Sequence, residues 1–200
     1  MQIFRPAIES DAEFIVSLIG ESSGGVWPAI WDALAFSDES ISASGARYIR
    51  DPNNLLNISN TLVCEIQGKP AGVMICYQEA AYSRDSQEKE ASEVLPKELV
   101  RALRPYQELS DPNSLFIAEI CFLPQFRGQG LGTAFLEKAV ALAQDRSLPR
   151  LSLRVFSENS GAVRLYKRFG FKQSGQRPII HYPGLVFSGS ALLMTYSVPA

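Results

Sequence analysis

The stretch Gln125-Phe126-Arg127-Gly128-Gln129-Gly130-Leu131-Gly132-Thr133 joins an apolar run typical of a β-strand to a pattern typical of a helix. Its three glycines stand at alternate positions, and because glycine carries no Cβ atom they allow a tight turn and a close approach to a ligand. A helix that begins at such a turn offers unpaired amide donors and a partial positive charge to a phosphate group. The stretch therefore predicts a phosphate-binding turn between a strand and a helix.

Two common phosphate-binding loops fit this chain poorly. A Walker loop requires Gly-Lys followed by Ser or Thr, and the sequence contains no such triplet, which disfavours a nucleotide triphosphatase. A dinucleotide fingerprint, G-x-G-x-x-G, would have Thr133 at its last position, and no acidic residue ends the next strand to bind a ribose. A dinucleotide-binding oxidoreductase is therefore kept only as an alternative hypothesis.

Two motifs in the second half of the chain carry a resemblance to a known family. Arg127, Gly130 and Gly132 form Arg-x-x-Gly-x-Gly after an apolar strand ending in Leu-Pro, and this motif resembles the acetyl-CoA loop of the GCN5-related N-acetyltransferase (GNAT) family. The family's second cofactor motif, N-x-x-A-x-x-L-Y-x-x-x-G-F, is similar to the residues Asn159, Ala162, Leu165, Tyr166, Gly170 and Phe171. The close resemblance covers residues 115–171, with a weaker one at residues 3–11.

The resemblance implies an α/β fold of mixed (α+β) character, with a central, mixed, twisted sheet of about six to seven strands flanked by helices. Two hundred residues suffice for one domain with a full hydrophobic core, so we expect a single N-acetyltransferase domain over residues 1–200. Residues 79–113 are rich in charge and show no sustained alternation. We expect them to form an insertion between the third and fourth strands, either as a flap over the substrate entrance or as a solvated surface helix.

Hydrophobic periodicity predicts the individual elements. The first predicted helix begins near residues 10–11 and ends at the break over residues 22–25, and the others cover residues 26–36, 96–103, 131–146 and 160–169. The predicted strands cover 3–7, 61–77 as a mid-sheet hairpin, 115–123, 151–156 and 191–198, the last closing the sheet. Ser10 or Asp11 can cap the first helix, and Gly170 fits a left-handed cap of the last one. Trp27 and Trp31 face inward from the second helix, either as core or beside the acceptor cleft that such helices border in the family.

Composition limits the partners. The chain is 46% hydrophobic and 20% charged with a net charge of −2, which is ordinary for a soluble globular protein and lacks the basic excess that nucleic-acid binding needs. No apolar run is long enough for a membrane span or a signal peptide, so we expect a cytoplasmic protein with no membrane partner. The cysteines Cys64, Cys76 and Cys121 are far apart and favour buried thiols over disulfides or a metal site.

The resemblance implies acetyl transfer from acetyl-CoA to an amine by direct transfer in a ternary complex. Because an ammonium ion has no lone pair, a base must take its proton, and the departing thiolate benefits from an acid. Glu119, in an otherwise apolar strand where burial would raise its pKa, is the candidate base. The single histidine, His181, is its rival, and Tyr166 occupies the family's usual position for the acid.

The resemblance also implies a set of cofactor-binding residues. The pantetheine arm would pair with backbone groups of the strand, and the amides of residues 129–133 would hold the pyrophosphate. Arg127 either contacts phosphate directly or fixes the loop, and Asn159 either contacts the pantetheine or caps the following helix. The full set is Ile120, Cys121, Phe122, Leu123, Arg127, Gly128, Gln129, Gly130, Leu131, Gly132, Thr133 and Asn159.

Several points stay open in the sequence. The acceptor is a small-molecule amine or a protein amine, and the chain is a monomer or a homodimer. A catalytically silent acyl-CoA-binding sensor would use the same pocket. Cys121 could serve as an acyl-accepting nucleophile, but no histidine neighbours it in sequence and the family transfers the acetyl group directly, so we interpret it as strand packing.

Overall fold

A computed structural model describes residues 2–79 and 93–199. Strands and helices follow one another along the chain, with short 3-10 turns between some of them. Their order is β1 (Gln2–Pro6), α1 (Ala12–Ser22), α2 (Val26–Leu34), α3 (Ile41–Arg50), β2 (Thr61–Ile66), β3 (Lys69–Gln78), α4 (Lys97–Gln107), β4 (Ser114–Phe122), α5 (Leu131–Asp145), β5 (Arg150–Phe156), α6 (Ser160–Phe169), β6 (Lys172–Pro178) and β7 (Ser190–Ser197).

The strands form one seven-stranded sheet with the order β1-β2-β3-β4-β5-β7-β6. The pairs β1–β2, β2–β3, β5–β7 and β6–β7 are antiparallel, whereas β4 and β5 are parallel, so the sheet is mixed. The predicted mixed α/β fold with six to seven strands is confirmed. The hairpin of β2 and β3 lies inside the sheet, as predicted.

The chain divides into two compact units. The first unit comprises Met1–Cys76 and Ala118–Leu131, and the second comprises Tyr77–Ile117 and Gly132–Ala200. The chain passes from one unit to the other within β3, within β4 and after Leu131, the first residue of α5. Glu119 and the glycine-rich turn up to Leu131 belong to the first unit, and Tyr166 belongs to the second.

The core of the first unit is built around α1. Ile15, Leu18 and Ile19 recur at helical spacing and are almost fully buried, as the periodicity predicted. Asp11 stands at the N-cap position, but its carboxylate accepts hydrogen bonds from Arg5 and from the Ile8 backbone N–H instead of capping α1. The predicted cap by its side chain is therefore wrong, because Arg5 and the preceding turn engage both carboxylate oxygens.

Helix α3 was not predicted from the sequence. It begins after Ser40, whose hydroxyl accepts from the Ala43 backbone N–H, and its buried face consists mainly of small residues. One of them, Gly45, faces Trp31 of α2 so closely that a Cβ atom there would lie 2.8 Å from the indole ring. The small side chains give a weak apolar pattern in sequence, but they allow α3 to approach α2.

The β2–β3 turn lies within the predicted hairpin, whereas the sheet edge differs from the prediction. Gln67 and Gly68 form a two-residue turn with φ angles of 54° and 74°, so the geometry is that of a type I′ turn although Gln67 is an uncommon residue there. The last strand, β7, does not close the sheet, because β6 pairs outside it and forms the edge. Strand β6 is almost entirely exposed and lacks the apolar alternation that would have predicted it.

In the second unit, α5 buries Phe135 and Leu136, and β5 buries Leu151 and Leu153. Helix α6 ends at Gly170, whose φ of 114° confirms the predicted left-handed cap. Helix α4 extends the helix predicted at residues 96–103 by one turn. Of the predicted flap, residues 80–92 lie outside the described residues, and the single domain over residues 1–200 stays a prediction.

Candidate functional site

The glycine-rich turn connects β4 to α5. After β4 ends at Phe122, a 3-10 turn covers Pro124–Phe126, and α5 begins at Leu131. Gly128 and Gly130 have φ angles of 74° and 81°, a left-handed backbone that favours glycine. Apart from the glycine itself and its two chain neighbours, no described residue has an atom within 4 Å of a Cβ atom built on either glycine, so the space beside this backbone is open. The turn therefore has the shape that the sequence predicted for a phosphate-binding loop.

Arg127 is attached to the end of β4. Its Nε donates to the Phe122 carbonyl oxygen over 2.9 Å, and this bond closes the start of the turn. A second bond, from Gln129 Nε2 to the Gln125 carbonyl oxygen over 2.9 Å, spans the next four residues. This bond is the kind that the loop-fixing interpretation of Arg127 requires, and the choice between the two interpretations stays a prediction.

One edge of the β4 backbone faces β3. The Leu123 N–H donates to the Ala71 carbonyl oxygen over 3.0 Å, so this amide is already engaged. Since successive residues of a strand direct their backbone groups to alternate edges, Cys121 shares the β3 edge with Leu123, whereas Ile120 and Phe122 face the opposite edge. Parallel pairing of β4 with β5 runs from Ser114 to Ile117, and β4 continues to Phe122.

Glu119 lies on this continuation of β4 with its side chain half-buried. Burial raises the pKa of the carboxyl group to about 7, and a hydrogen bond from Trp27 opposes part of that rise. The Trp27 Nε1–H donates to Glu119 Oε1 over 2.8 Å. A carboxyl group with this pKa exchanges a proton near neutral pH, as a general base must.

Aromatic rings from two helices surround the indole of Trp27. Its ring centroid lies 6.3 Å from that of Trp31 and 6.0 Å from that of Tyr48. Trp31 is fully buried. It belongs to the core, which is the first of the two predictions made for the tryptophans. Trp27 is only partly buried and contacts the candidate base, and its place beside an acceptor cleft stays a prediction.

Cys121 lies two residues after Glu119 on β4 and is buried. Burial, the larger cause, and the charge of Glu119 both raise the pKa of its thiol, so the nucleophilic thiolate form is disfavoured. Cys64 and Cys76 are likewise buried free thiols. Within residues 2–79 and 93–199, no group of three or more His, Cys, Asp or Glu side chains could hold a metal ion.

Tyr166 lies on α6 in the second unit. Its side chain is buried, and its ring centroid is 5.7 Å from that of Phe171. Asn159 caps the same helix, since its Oδ1 accepts from the Ala162 backbone N–H over 3.2 Å. The capping interpretation of Asn159 is thus observed. His181 lies outside helices and strands and is exposed to solvent.

The remaining predicted cofactor residues follow the turn into α5. Leu131, Gly132 and Thr133 are the first three residues of that helix. Gly132 differs from the two glycines before it, because a Cβ atom there would lie 2.7 Å from Leu165 Cδ2. Glycine is therefore required at this position for the packing of α5 against α6.

A family model described as the acetyltransferase (GNAT) family matches residues 27–171, which is more than half of the chain. The chain belongs to the GNAT acetyltransferase family. The predicted family is confirmed, and the dinucleotide-binding alternative is wrong. No helix among the described residues of this GNAT protein has both the length and the apolar character to cross a membrane.

Sequence relatives match parts of this GNAT chain. An uncharacterized N-acetyltransferase of Methanocaldococcus jannaschii is 32% identical over 111 residues, which are 56% of this chain and 38% of the relative. A putative ribosomal protein bS18-alanine N-acetyltransferase of Bacillus subtilis is 41% identical over 61 residues, 30% of this chain and 40% of the relative. The chain thus spans less than half the length of these curated relatives.

Among solved structures, a mosquito arylalkylamine N-acetyltransferase like 5b superposes with a TM-score of 0.71 at 14% identity, covering 98% of this chain and 100% of that one. At this identity the likeness supports the GNAT fold.

The contact between Trp27 and Glu119 is a site feature that the sequence did not predict, since 92 positions separate the two residues. The helical spacing of the tryptophans was the one signal that pointed towards it.

Proposed function

We propose that this chain is an N-acetyltransferase that moves an acetyl group from acetyl-CoA to an amine by direct transfer while both substrates are bound. The observation that carries the proposal is the half-buried carboxyl group of Glu119, whose pKa is raised to about 7 on the strand that leads into the glycine turn. Family membership supports the same reaction.

Glu119 acts as the general base in this proposal. An amine acceptor is mostly protonated at neutral pH and cannot attack a thioester until it loses a proton. A carboxylate with an ordinary pKa would be a poor acceptor for that proton, whereas the raised pKa of Glu119 suits it to the task. His181 is exposed in a loop, and nothing in its surroundings supports the competing assignment.

The chain fits coenzyme A at the glycine turn. The left-handed glycines Gly128 and Gly130 leave the backbone beside α5 uncovered, and the amides of residues 129–133 would hold the pyrophosphate. Ile120 and Phe122 direct backbone groups to the β4 edge away from β3, so they are the residues of the predicted pantetheine contact that the register favours. When bound, acetyl-CoA would supply the thioester.

Tyr166 is the proposed general acid. A phenol protonated at neutral pH can donate to a departing thiolate, and Tyr166 is buried on a helix fixed at both ends by Asn159 and Gly170. Asn159 uses its side-chain oxygen for the cap, which leaves its amide nitrogen as the group for the predicted pantetheine contact.

The acceptor is a primary amine of a small molecule or of a protein. Matched relatives are named for both classes, including thialysine N-ε-acetyltransferase of Mus musculus and a peptidyl-lysine N-acetyltransferase of Salmonella typhimurium. The match covers about a third of each relative's length. We therefore use these names only to choose the amines to test.

An amine-panel assay that follows free thiol release from acetyl-CoA tests the proposal. The panel should contain aryl- and alkylamines, polyamines, lysine analogues and peptides with free N-terminal alanine. Glu119→Gln should lose at least about 100-fold in turnover while CoA affinity, measured by calorimetry, stays unchanged. His181→Ala is the matched control and should keep its turnover.

The competing function is a silent acyl-CoA-binding module. It predicts tight CoA binding and no thiol release above the uncatalysed rate with any amine of the panel. Loss of activity in His181→Ala with full activity in Glu119→Gln would instead move the base assignment to the histidine.

A further inference from the structure

The hydrogen bond between Trp27 and Glu119 joins the start of α2 to the candidate base on β4. We propose that Trp27 is a positioning residue, whose indole N–H holds Oε1 of Glu119 and leaves Oε2 to take the proton of the acceptor amine. This inference rests on the proposed function and goes beyond it, because it assigns a residue outside both cofactor motifs to the reaction.

Trp27 is itself held in place on several sides. Its backbone N–H donates to Ser23 Oγ over 3.3 Å, and its ring packs against those of Trp31 and Tyr48. Trp31 in turn is wedged against Gly45, where a side chain would clash with the indole. An indole fixed in this way has little freedom to leave Glu119, so the hydrogen bond restricts the carboxyl group to one orientation.

The chemistry of the donor suits a base that must cycle between charge states. An indole N–H is a donor only and does not titrate in the working range of an enzyme. It therefore stabilises the carboxylate more than the neutral acid, and it lowers the pKa of Glu119 against the larger effect of burial. Trp27 keeps the half-buried carboxyl group of Glu119 ionisable near neutral pH.

Two other titratable groups adjoin this pair. Burial raises the pKa of Tyr48, on α3, to about 12, and it raises that of Cys121, on the same strand as Glu119. Both groups stay uncharged between pH 5 and pH 9, roughly two units either side of a group with a pKa near 7. A pH-dependent change at the Trp27–Glu119 hydrogen bond between pH 5 and pH 9 therefore reports the protonation of Glu119.

The chain contains two tryptophans, so two indole N–H signals appear in a ¹H–¹⁵N spectrum. In the wild-type protein the Trp27 signal should move with pH at the midpoint of Glu119 and should lose that dependence in Glu119→Gln. Trp31 serves as an internal reference, because its Nε1 has no hydrogen-bond partner among the described residues. A Trp27 signal that ignores both pH and the Glu119→Gln change would overturn the proposal.

Trp27→Phe removes the donor and keeps an aromatic ring. Its pH–rate profile should shift upward by about one unit, which lowers the rate at pH 7 about fivefold, with an unchanged KM for acetyl-CoA. Trp31→Phe, the matched control on the same helix, should keep the wild-type midpoint. Equal midpoints in wild type and Trp27→Phe would contradict the inference.

The two proposals fail separately. A titrating Trp27 signal together with no thiol release from any amine would refute the enzyme and keep the Trp27–Glu119 pair. Turnover that depends on Glu119, with an indole signal that does not respond to it, would keep the enzyme and refute the positioning residue. The spectra need only the folded wild-type and Glu119→Gln proteins, so they decide the question even if Trp27→Phe does not fold.

Discussion

Leu165 of α6 lies against Gly132 of α5 so closely that a Cβ atom on the glycine would come within 2.7 Å of Leu165 Cδ2. Both residues stand in the motifs that the sequence associates with the cofactor. Their contact shows that one glycine of the turn is needed for packing between helices, whereas Gly128 and Gly130 are needed for their left-handed backbone. Glycine is thus required at these three alternate positions for two different physical reasons.

Gly132→Ala should destabilise the protein by about 1 kcal/mol, because the overlap with Leu165 outweighs the better helix propensity of alanine. In a Leu165→Ala background the same change should become stabilising. Urea denaturation of the four proteins measures this coupling. Gly161→Ala on α6 is the control, since its nearest neighbour would be 4.0 Å away. Equal effects of Gly132→Ala in both backgrounds would contradict the packing argument.

Gly128→Ala and Gly68→Ala form a matched pair, because both glycines have a φ of 74° and open space around a new Cβ atom. Each change should cost about 1–2 kcal/mol in the free energy of unfolding from backbone strain alone. Only Gly128→Ala should also weaken CoA binding, since its turn precedes α5. Denaturation and calorimetric titration measure the two quantities. A similar loss of affinity in both variants would argue against the turn as the binding loop.

Substitutions at Arg127 and Gly130 distinguish side-chain from main-chain binding of the pyrophosphate in the proposed site. Gly130→Leu should weaken CoA binding more than Arg127→Lys, because bulk at Gly130 obstructs the amides, whereas Arg127 acts mainly through its bond to the Phe122 carbonyl oxygen. We expect a loss of at least about tenfold for the first and less for the second. Calorimetric titration with CoA ranks them, and equal losses would count against the amide cradle.

The raised pKa of Glu119 makes stability depend on pH. Its ordinary value is 4.5 and its folded-state value is about 7, so folding favours the neutral carboxyl group. This contribution is complete below pH 4.5 and is lost as the pH rises through 7. Glu119→Gln should therefore gain stability relative to wild type between pH 4.5 and pH 8. Thermal unfolding across this range measures the difference, and a constant offset would refute the shifted pKa.

Asp11 should behave in the opposite sense. Arg5 donates to both of its carboxylate oxygens over 2.6 and 2.9 Å, and this pairing lowers its pKa below the ordinary 3.8. The stabilisation is present above pH 3.8 and is lost as the pH falls through the folded-state pKa. Asp11→Asn should cost about 1–3 kcal/mol at pH 7 and progressively less in acid.

The control for Asp11 is Glu9, whose ion pair with Arg50 is exposed. Glu9→Gln should change the unfolding free energy by less than about 1 kcal/mol at any pH. Asp11 is buried, so its pair with Arg5 is less screened by solvent than the exposed pair of Glu9. Equal losses of stability at pH 7 in the two variants would contradict this explanation.

Elements with a strong local signal were predictable from sequence. Helix α1 carries its apolar residues at helical spacing, and Gly170 marks the end of α6. Helix α3 was not predicted because it packs through small residues such as Gly45. The absence of a side chain at Gly45 allows α3 to lie close to α2, but it gives no apolar signal in the sequence. Strand β6 was missed because it is exposed at a sheet edge, where no apolar alternation is needed.

The site was predictable where backbone conformation determines it. Gly128 and Gly130 reveal a left-handed turn by their identity, and a single Glu in an apolar strand reveals its own burial. The donor to Glu119 was not predictable, because a side-chain contact over 92 positions depends on how α2 packs against β4. Periodicity indicates that Trp27 faces inward but not which atom it meets.

Asn159 and Gly170 close both ends of α6 with hydrogen bonds from within the chain itself. The helix that carries Tyr166 is therefore complete before any ligand arrives. If coenzyme A binds as proposed, it would not have to order this segment, and binding would be spared the entropy cost of that ordering.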